Sequence, residues 1–417
     1  MNKKYFALFT AVLFCSLSAV AQNVSSPYSI LGIGDIENND YGRYNASGGA
    51  SVSRREGGFY NFSNPASLTV MQYKAINLDF AFRGRVSKFK LQGADTLTAP
   101  SKDFVVKRVS LAFKVTPTSA FAFGVRPFSS VNYQFAKGSS INDGNADLYK
   151  FTDGSGGINQ AYFSYAKQLA KRLSVGATAS WLFGALQTTD EYYNALLNLD
   201  VTRNENNFYN AAGIQGGLQY YSLPGKKWQH NFGLTATTYT KLKGQNTTNY
   251  VESGVTLKTL DPVDISFKMP VTVAAGYSIT NINGLSLHLQ GTYNKWPTQK
   301  VEYKNGFTKD CYGFNAGMEY SKRVIAPGLI TEKFYVGWGV KMEQSYLSLN
   351  NSRINDYSFS LGGGKNISRF LAASAGIEYG KRGSSSLNQI QENYFQFNVG
   401  FTLKDIWFGT RKFGRYN

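Results

Sequence analysis

The stretch Ala75-Ile76-Asn77-Leu78-Asp79-Phe80-Ala81-Phe82-Arg83 decides how the rest of the chain is read. Successive side chains of a strand point to opposite faces. Ile76, Leu78, Phe80 and Phe82 therefore share one face, and Asn77, Asp79, Ala81 and Arg83 share the other. The alternation returns in Val109/Leu111/Phe113/Val115, Phe121/Phe123/Val125, Val175/Ala177/Ala179/Trp181/Phe183, Leu285/Leu287/Leu289 and Phe395/Phe397/Val399/Phe401/Leu403. Each run sits in a segment of about ten residues, the length a tilted strand needs to cross a hydrocarbon layer. Between residues 75 and 408 about fourteen such segments follow one another, to within roughly two. The expected fold is all-β, a transmembrane antiparallel β-barrel of about 14 strands.

The connections support that plan. Tight links at Thr116-Pro117-Thr118, 169–172, Leu223-Pro224-Gly225, 281–284 and 367–369 alternate with polar stretches near 86–104, 134–157, 186–207 and 243–262. Barrels of this type keep tight turns on the periplasmic side and long loops outside. Within one expected loop, Thr188-Thr189-Asp190-Glu191 has the form of a capping box before Tyr192 to Leu199. It predicts a short amphipathic helix whose Tyr193, Leu196 and Leu197 either stiffen the loop or form an apolar landing surface for ligand.

Residues 1–21 have the three parts of a cleaved export signal: Lys3 and Lys4, an apolar run from Tyr5 to Leu17, and Ala19-Val20-Ala21. Without them Cys311 is the sole cysteine, which leaves no intrachain disulfide. No later stretch approaches the ~20 apolar residues of a membrane helix. A hydrophobic content of 42% suits a barrel, half of whose strand positions face a polar interior, and 15% aromatics suit rings at two lipid–water boundaries. The net charge of +18 is spread along an exported chain. It points to anionic lipid head groups or an anion-attracting lumen, with no nucleic acid as partner.

Residues 22–74 lack regular periodicity yet carry many rings, among them Tyr28, Tyr41, Tyr44, Phe59, Tyr60 and Phe62. A free tail seldom does, whereas a segment packed in the lumen needs glycines for tight turns and rings for filling. A wall of about fourteen strands is also too wide for its own side chains to fill. Tyr41-Gly42-Arg43, Ala46-Ser47-Gly48-Gly49-Ala50 and Phe62-Ser63-Asn64-Pro65-Ala66-Ser67-Leu68-Thr69 resemble the hatch of the FadL/TodX outer-membrane transport family. The Asn-Pro-Ala box stands just before the first strand. Phe267-Lys268-Met269-Pro270 and Tyr293-Asn294-Lys295-Trp296 also fit. The chain departs from that family in Arg54-Arg55-Glu56 and in a basic C-terminal extension, 409–417, after Trp407-Phe408.

The resemblance implies passive uptake of hydrophobic, fatty-acid-like molecules, gated by a hatch over 22–74 and released sideways through the wall. It implies hatch roles for Asn64, Pro65, Ala66, Phe59 and Phe62. By parity Arg83, Arg108 and Arg126 point inward, with Arg83 and Arg108 placed toward the outer rim. They either clamp a carboxylate or pair with lumen acids such as Asp79. An alternative role keeps the barrel and makes it a docking or shuttle component of a protein secretion system at the cell surface, with secretion-system proteins as partners. No enzyme is expected. His230 and His288 belong to no Ser/His/Asp arrangement, no cofactor is implied, and two histidines with one cysteine make no zinc site.

Overall fold

The computed structural model describes residues 26–37, 42–91, 94–141, 146–194, 199–223, 227–252, 254–301, 306–326, 329–349, 352–368, 370–385 and 389–406. The expected signal segment, Leu196, Leu197, Trp407, Phe408 and the extension 409–417 lie outside them. Fourteen antiparallel strands make the wall: β1 (Ala75–Leu91), β2 (Ala94–Lys114), β3 (Ser119–Ile141), β4 (Ala146–Ala170), β5 (Leu173–Asn194), β6 (Leu199–Tyr221), β7 (Trp228–Tyr239), β8 (Val271–Asn281), β9 (Leu285–Lys295), β10 (Cys311–Ala326), β11 (Leu329–Leu349), β12 (Ser352–Asn366), β13 (Leu371–Arg382) and β14 (Gln391–Ile406). Chain neighbours pair throughout, and β1 pairs with β14 from Ala75↔Ile406 to Lys90↔Gln391, which closes the sheet. Closure removes the free edges that an open sheet would present to lipid.

The alternation sorts side chains as the sequence predicts. Phe232 and Leu234 on β7, Trp338 and Val340 on β11, and Phe359 and Leu361 on β12 are exposed on the outside. Ser358 and Ser360 on β12, Ser374 on β13, and Asn398 and Thr402 on β14 are buried inside. Such an inside-out distribution is stable only when lipid covers the apolar belt, so the chain is an outer-membrane barrel. The periplasmic turns are tight. Ser119 N donates to Thr116 Oγ1 at 2.8 Å, and Gly284, at φ 94°, closes the turn after β8.

Beyond the membrane the structure corrects the expectation of long loops. β3 and β4 stay paired up to Ile141↔Ala146, β5 and β6 up to Asn194↔Leu199, and Leu242–Glu252 continues β7 along β6. Outside lipid neither face of a ladder must be apolar, so these extensions carry no alternation to read. The expected helix after the capping box is strand as well, through Asn194. Asp190 binds Thr152 and Arg203 across the ladder instead of capping a helix, and Tyr193 lies opposite Tyr149. The wall is consequently lopsided: β4 has 25 residues, whereas β8 and β9 have 11 each.

Candidate functional site

Residues 26–37 and 42–74 lie inside the wall, and the turns of this segment have local causes. Asn64, fully buried, accepts from Ala66 N at 3.0 Å and caps the 3-10 turn Pro65–Val70, with Pro65 preset for the first turn. Its amide donates to Val52 O at 2.9 Å and Leu218 O at 3.1 Å, fixing the turn to β6. Gly217 permits that approach: a Cβ there would stand 2.3 Å from Asn64 Oδ1. Across the bore the 3-10 turn Gly42–Ser47 presses on Gly317 and Gly339, where an added Cβ would meet Ser47 and Gly48 backbone atoms at 2.4 and 2.2 Å. Inward glycines of the wall thus leave room for the segment.

Charge complements shape. Arg43 pairs with Glu319 and Glu332, and Arg54 with Glu319 at 2.7 Å and Glu56 at 2.7 Å. Arg382 on β13 binds Asp35 at 2.8 Å, and Ser26 Oγ donates to Glu392 at 2.8 Å. Burial disfavours the Arg43 guanidinium, but Glu319 and Glu332 outweigh it and hold its pKa well above the ordinary arginine value.

Among the described residues the wall is interrupted between β2 and β3. The ladder between β2 and β3 runs from Lys114↔Ala120 to Val109↔Val125 and stops. Both strands carry a bulge at that level, with Lys107 extra against β1 and Phe128 extra against β4 after Pro127. From inside, Asp35–Ile36 pairs with Ser130 and Ser129 on the freed edge of β3. Glu37 follows and spans the interruption. Its carboxylate accepts from Lys107 Nζ at 2.5 Å and Arg83 at 2.9 Å on one side, and from Ser130 Oγ at 3.1 Å on the other. Its backbone N–H donates to Phe128 O at 2.9 Å. Burial would raise the pKa of this carboxyl, but Arg83 and Lys107 dominate and hold it well below the usual carboxylate range.

Behind the interruption lies a cavity of about 330 Å³ between the segment and the wall. Its lining mixes rings (Phe62, Phe128, Tyr239, Trp296) with charged groups (Glu37, Arg83, Lys107, Arg126). The arginines singled out from sequence all face inward, but only Arg83 and Arg126 line this cavity. Arg83 is bonded to Glu37 and Asp103, and Arg108 to Asp79. On strands longer than the expected ten residues, Arg83 sits midway and Arg108 nearer the periplasmic end, neither toward the outer rim. Arg126 donates to Gln160 at 2.8 Å and stacks on Phe62 at 4.4 Å. Among the described residues no carboxylate pairs with Arg126. Phe59 packs edge-on to Tyr335, away from the cavity. Tyr193 is exposed on the outer face, and His288 is buried with Nδ1 2.8 Å from Ser278 Oγ.

Glu37 and Lys107 escaped the sequence reading. One signal was available: in an alternating strand Lys107-Arg108 cannot both face the lumen unless a bulge intervenes, and Pro127 inside a strand also marks one. Nothing in sequence pairs Glu37 with either.

A family model described as BamG matches residues 1–414. Among solved structures the fold is similar to that of the CymD monoaromatic hydrocarbon channel, at 15% identity over 89% of this chain and 98% of that one, TM-score 0.53. The Pseudomonas putida toluene transporter TodX is similar at 14% identity over 89% and 99%, TM-score 0.55. A Pseudomonas aeruginosa FadL homologue is similar at 12% identity over 90% and 99%, TM-score 0.54. These identities establish a shared fold. No curated protein matches the chain.

Proposed function

The chain belongs to the BamG family, and we propose that it is a FadL-type outer-membrane channel for small hydrophobic molecules with an anionic end, fatty-acid-like in chemistry. The observation that carries this reading is the unpaired stretch between β2 and β3 with a cavity directly behind it. An apolar solute crosses a water-filled pore poorly, and a partly apolar pocket with a side exit into lipid lowers that barrier. The solved neighbours named above as carriers of toluene and monoaromatic hydrocarbons fit the same logic. In this reading Phe62, Phe128, Tyr239 and Trp296 hold the apolar body, and Arg126 holds the anion. Residues 22–74 act as the hatch and Glu37 as its latch, because Glu37 bonds both sides of the interruption.

Native mass spectrometry of gently extracted protein tests this. Bound lipid-like mass in the native chain, reduced at least tenfold in Arg126→Ala, is the expected result. Repeated absence of ligand removes the uptake reading.

A second reading makes the barrel a docking component of a protein machine at the outer membrane. It is favoured by the mixed polarity of the cavity, which is no continuous apolar duct, and by the buried ion pairs that close the bore. A protein partner retained through extraction, with no small ligand, would support it.

A further inference from the structure

The outer face of the tall wall lacks the exposed lysines that several other strands carry. At the level where an apolar band of ~25 Å gives way to head groups, exposed lysines stand on several strands. They are Lys88 on β1, Lys102 on β2, Lys243 beyond β7, Lys295 on β9 and Lys381 on β13. These suit the phosphates of an outer leaflet. On β3 to β6 the outward positions at that level, in one register row, are Asn132, Ser155, Gln187 and Asn206, all uncharged. Among the described residues no outward lysine or arginine occurs on these four strands from there to their outer ends.

Higher up, the ladder registers place three rows side by side on the same face. They read Tyr149–Tyr193–Asp200, Phe151–Glu191–Thr202 and Asp153–Thr189–Asn204. Tyr149, Phe151 and Tyr193 are 44%, 43% and 48% exposed, and the three acids are exposed as well. Tyr149 lies 170 − 149 = 21 residues above the periplasmic end of β4. At ~3.3 Å per residue and a tilt of ~40–45° that is about 50 Å, roughly twice the height of the apolar band. Lipid chains cannot cover these rings.

We propose that the outer face of β3 to β6 is a docking surface for a different protein at the cell surface, one that presents apolar and basic side chains together. Charge decides between occupants. Lipopolysaccharide is anionic and is repelled by Asp153, Glu191 and Asp200. A second copy meeting this face on a two-fold axis would set the same acids against each other. A basic protein surface satisfies both the rings and the acids, and rings at the centre of such a patch carry most of the affinity. The inference is independent of the uptake reading and deepens the docking reading.

The test places a photo-crosslinking amino acid at Phe151 and at Tyr193 of the full chain in its own cells, with Tyr379 on the lipid-facing side of β13 as control. The expected result is one discrete adduct with the same, identified protein at both positions and none at the control. That adduct falls at least tenfold in a Glu191→Lys/Asp200→Lys variant that still forms a heat-modifiable barrel. Adducts with lipopolysaccharide, with a second copy or with nothing overturn the proposal, as does a protein adduct that survives the charge reversal.

Discussion

At the scale of single residues, two side chains hold the inner segment in place by different means. Asn64 joins a cap to two hydrogen bonds, with the carbonyl of Val52, which Gln219 also holds, and with that of Leu218. Losing a cap costs about 1 kcal/mol and each of the two lost hydrogen bonds about 0.5–1.5 kcal/mol, so Asn64→Ala should lower stability by roughly 2–4 kcal/mol. The check is the midpoint of the heat-induced gel shift in detergent, and an unchanged midpoint would contradict the role. Glu37 instead neutralises two buried cations. Glu37→Gln takes the shared carboxylate from Lys107 and leaves Arg83 with Asp103 alone, a loss of about 3 kcal/mol. Protease should then cut ahead of Ala75 in a barrel that is otherwise intact. Because the carboxyl has a depressed pKa in the folded state, its contribution is complete above the ordinary value of ~4.3 and fades only as pH falls below it. Protease resistance of the segment should therefore be flat from about pH 8 to 5 and drop below about pH 4.

At the scale of elements, the break between β2 and β3 is the feature with the clearest dynamic consequence. Past Val109 and Val125 the facing edges lack ladder partners across the wall among the described residues, and Asp35–Ile36 and Glu37 bridge from inside. Backbone amides without ladder bonds exchange through small local openings. Gap-facing amides of residues 104–107 should exchange about tenfold or more faster than those of residues 158–162, which are paired on both sides. Equal protection, read by hydrogen–deuterium exchange in detergent, would mean that the wall is continuous there. This element was partly legible. The adjacent Lys107-Arg108 and the proline in β3 break the two-residue period, but a bulge alone does not say that two strands part.

At the scale of the whole molecule, the exposed apolar belt and closed ladder make one demand: the folded chain needs a lipid-like solvent. Purified mature protein should stay monodisperse only in detergent and run faster unheated than boiled on a denaturing gel. A soluble, detergent-free folded form would refute the membrane reading. The amino-acid sequence by itself determined the barrel, a count of about fourteen strands to within roughly two, and the position of the Asn-Pro-Ala box, because a two-residue period and tight turns are local properties of the chain. Only the tertiary structure decided which acids meet which arginines, where the wall parts and how far the strands rise beyond the membrane. Glu37 meets Lys107 across 70 residues and Ser130 across 93. Such pairings depend on closure and on strand stagger, and above the lipid no alternation of apolar side chains remains to mark where a strand ends.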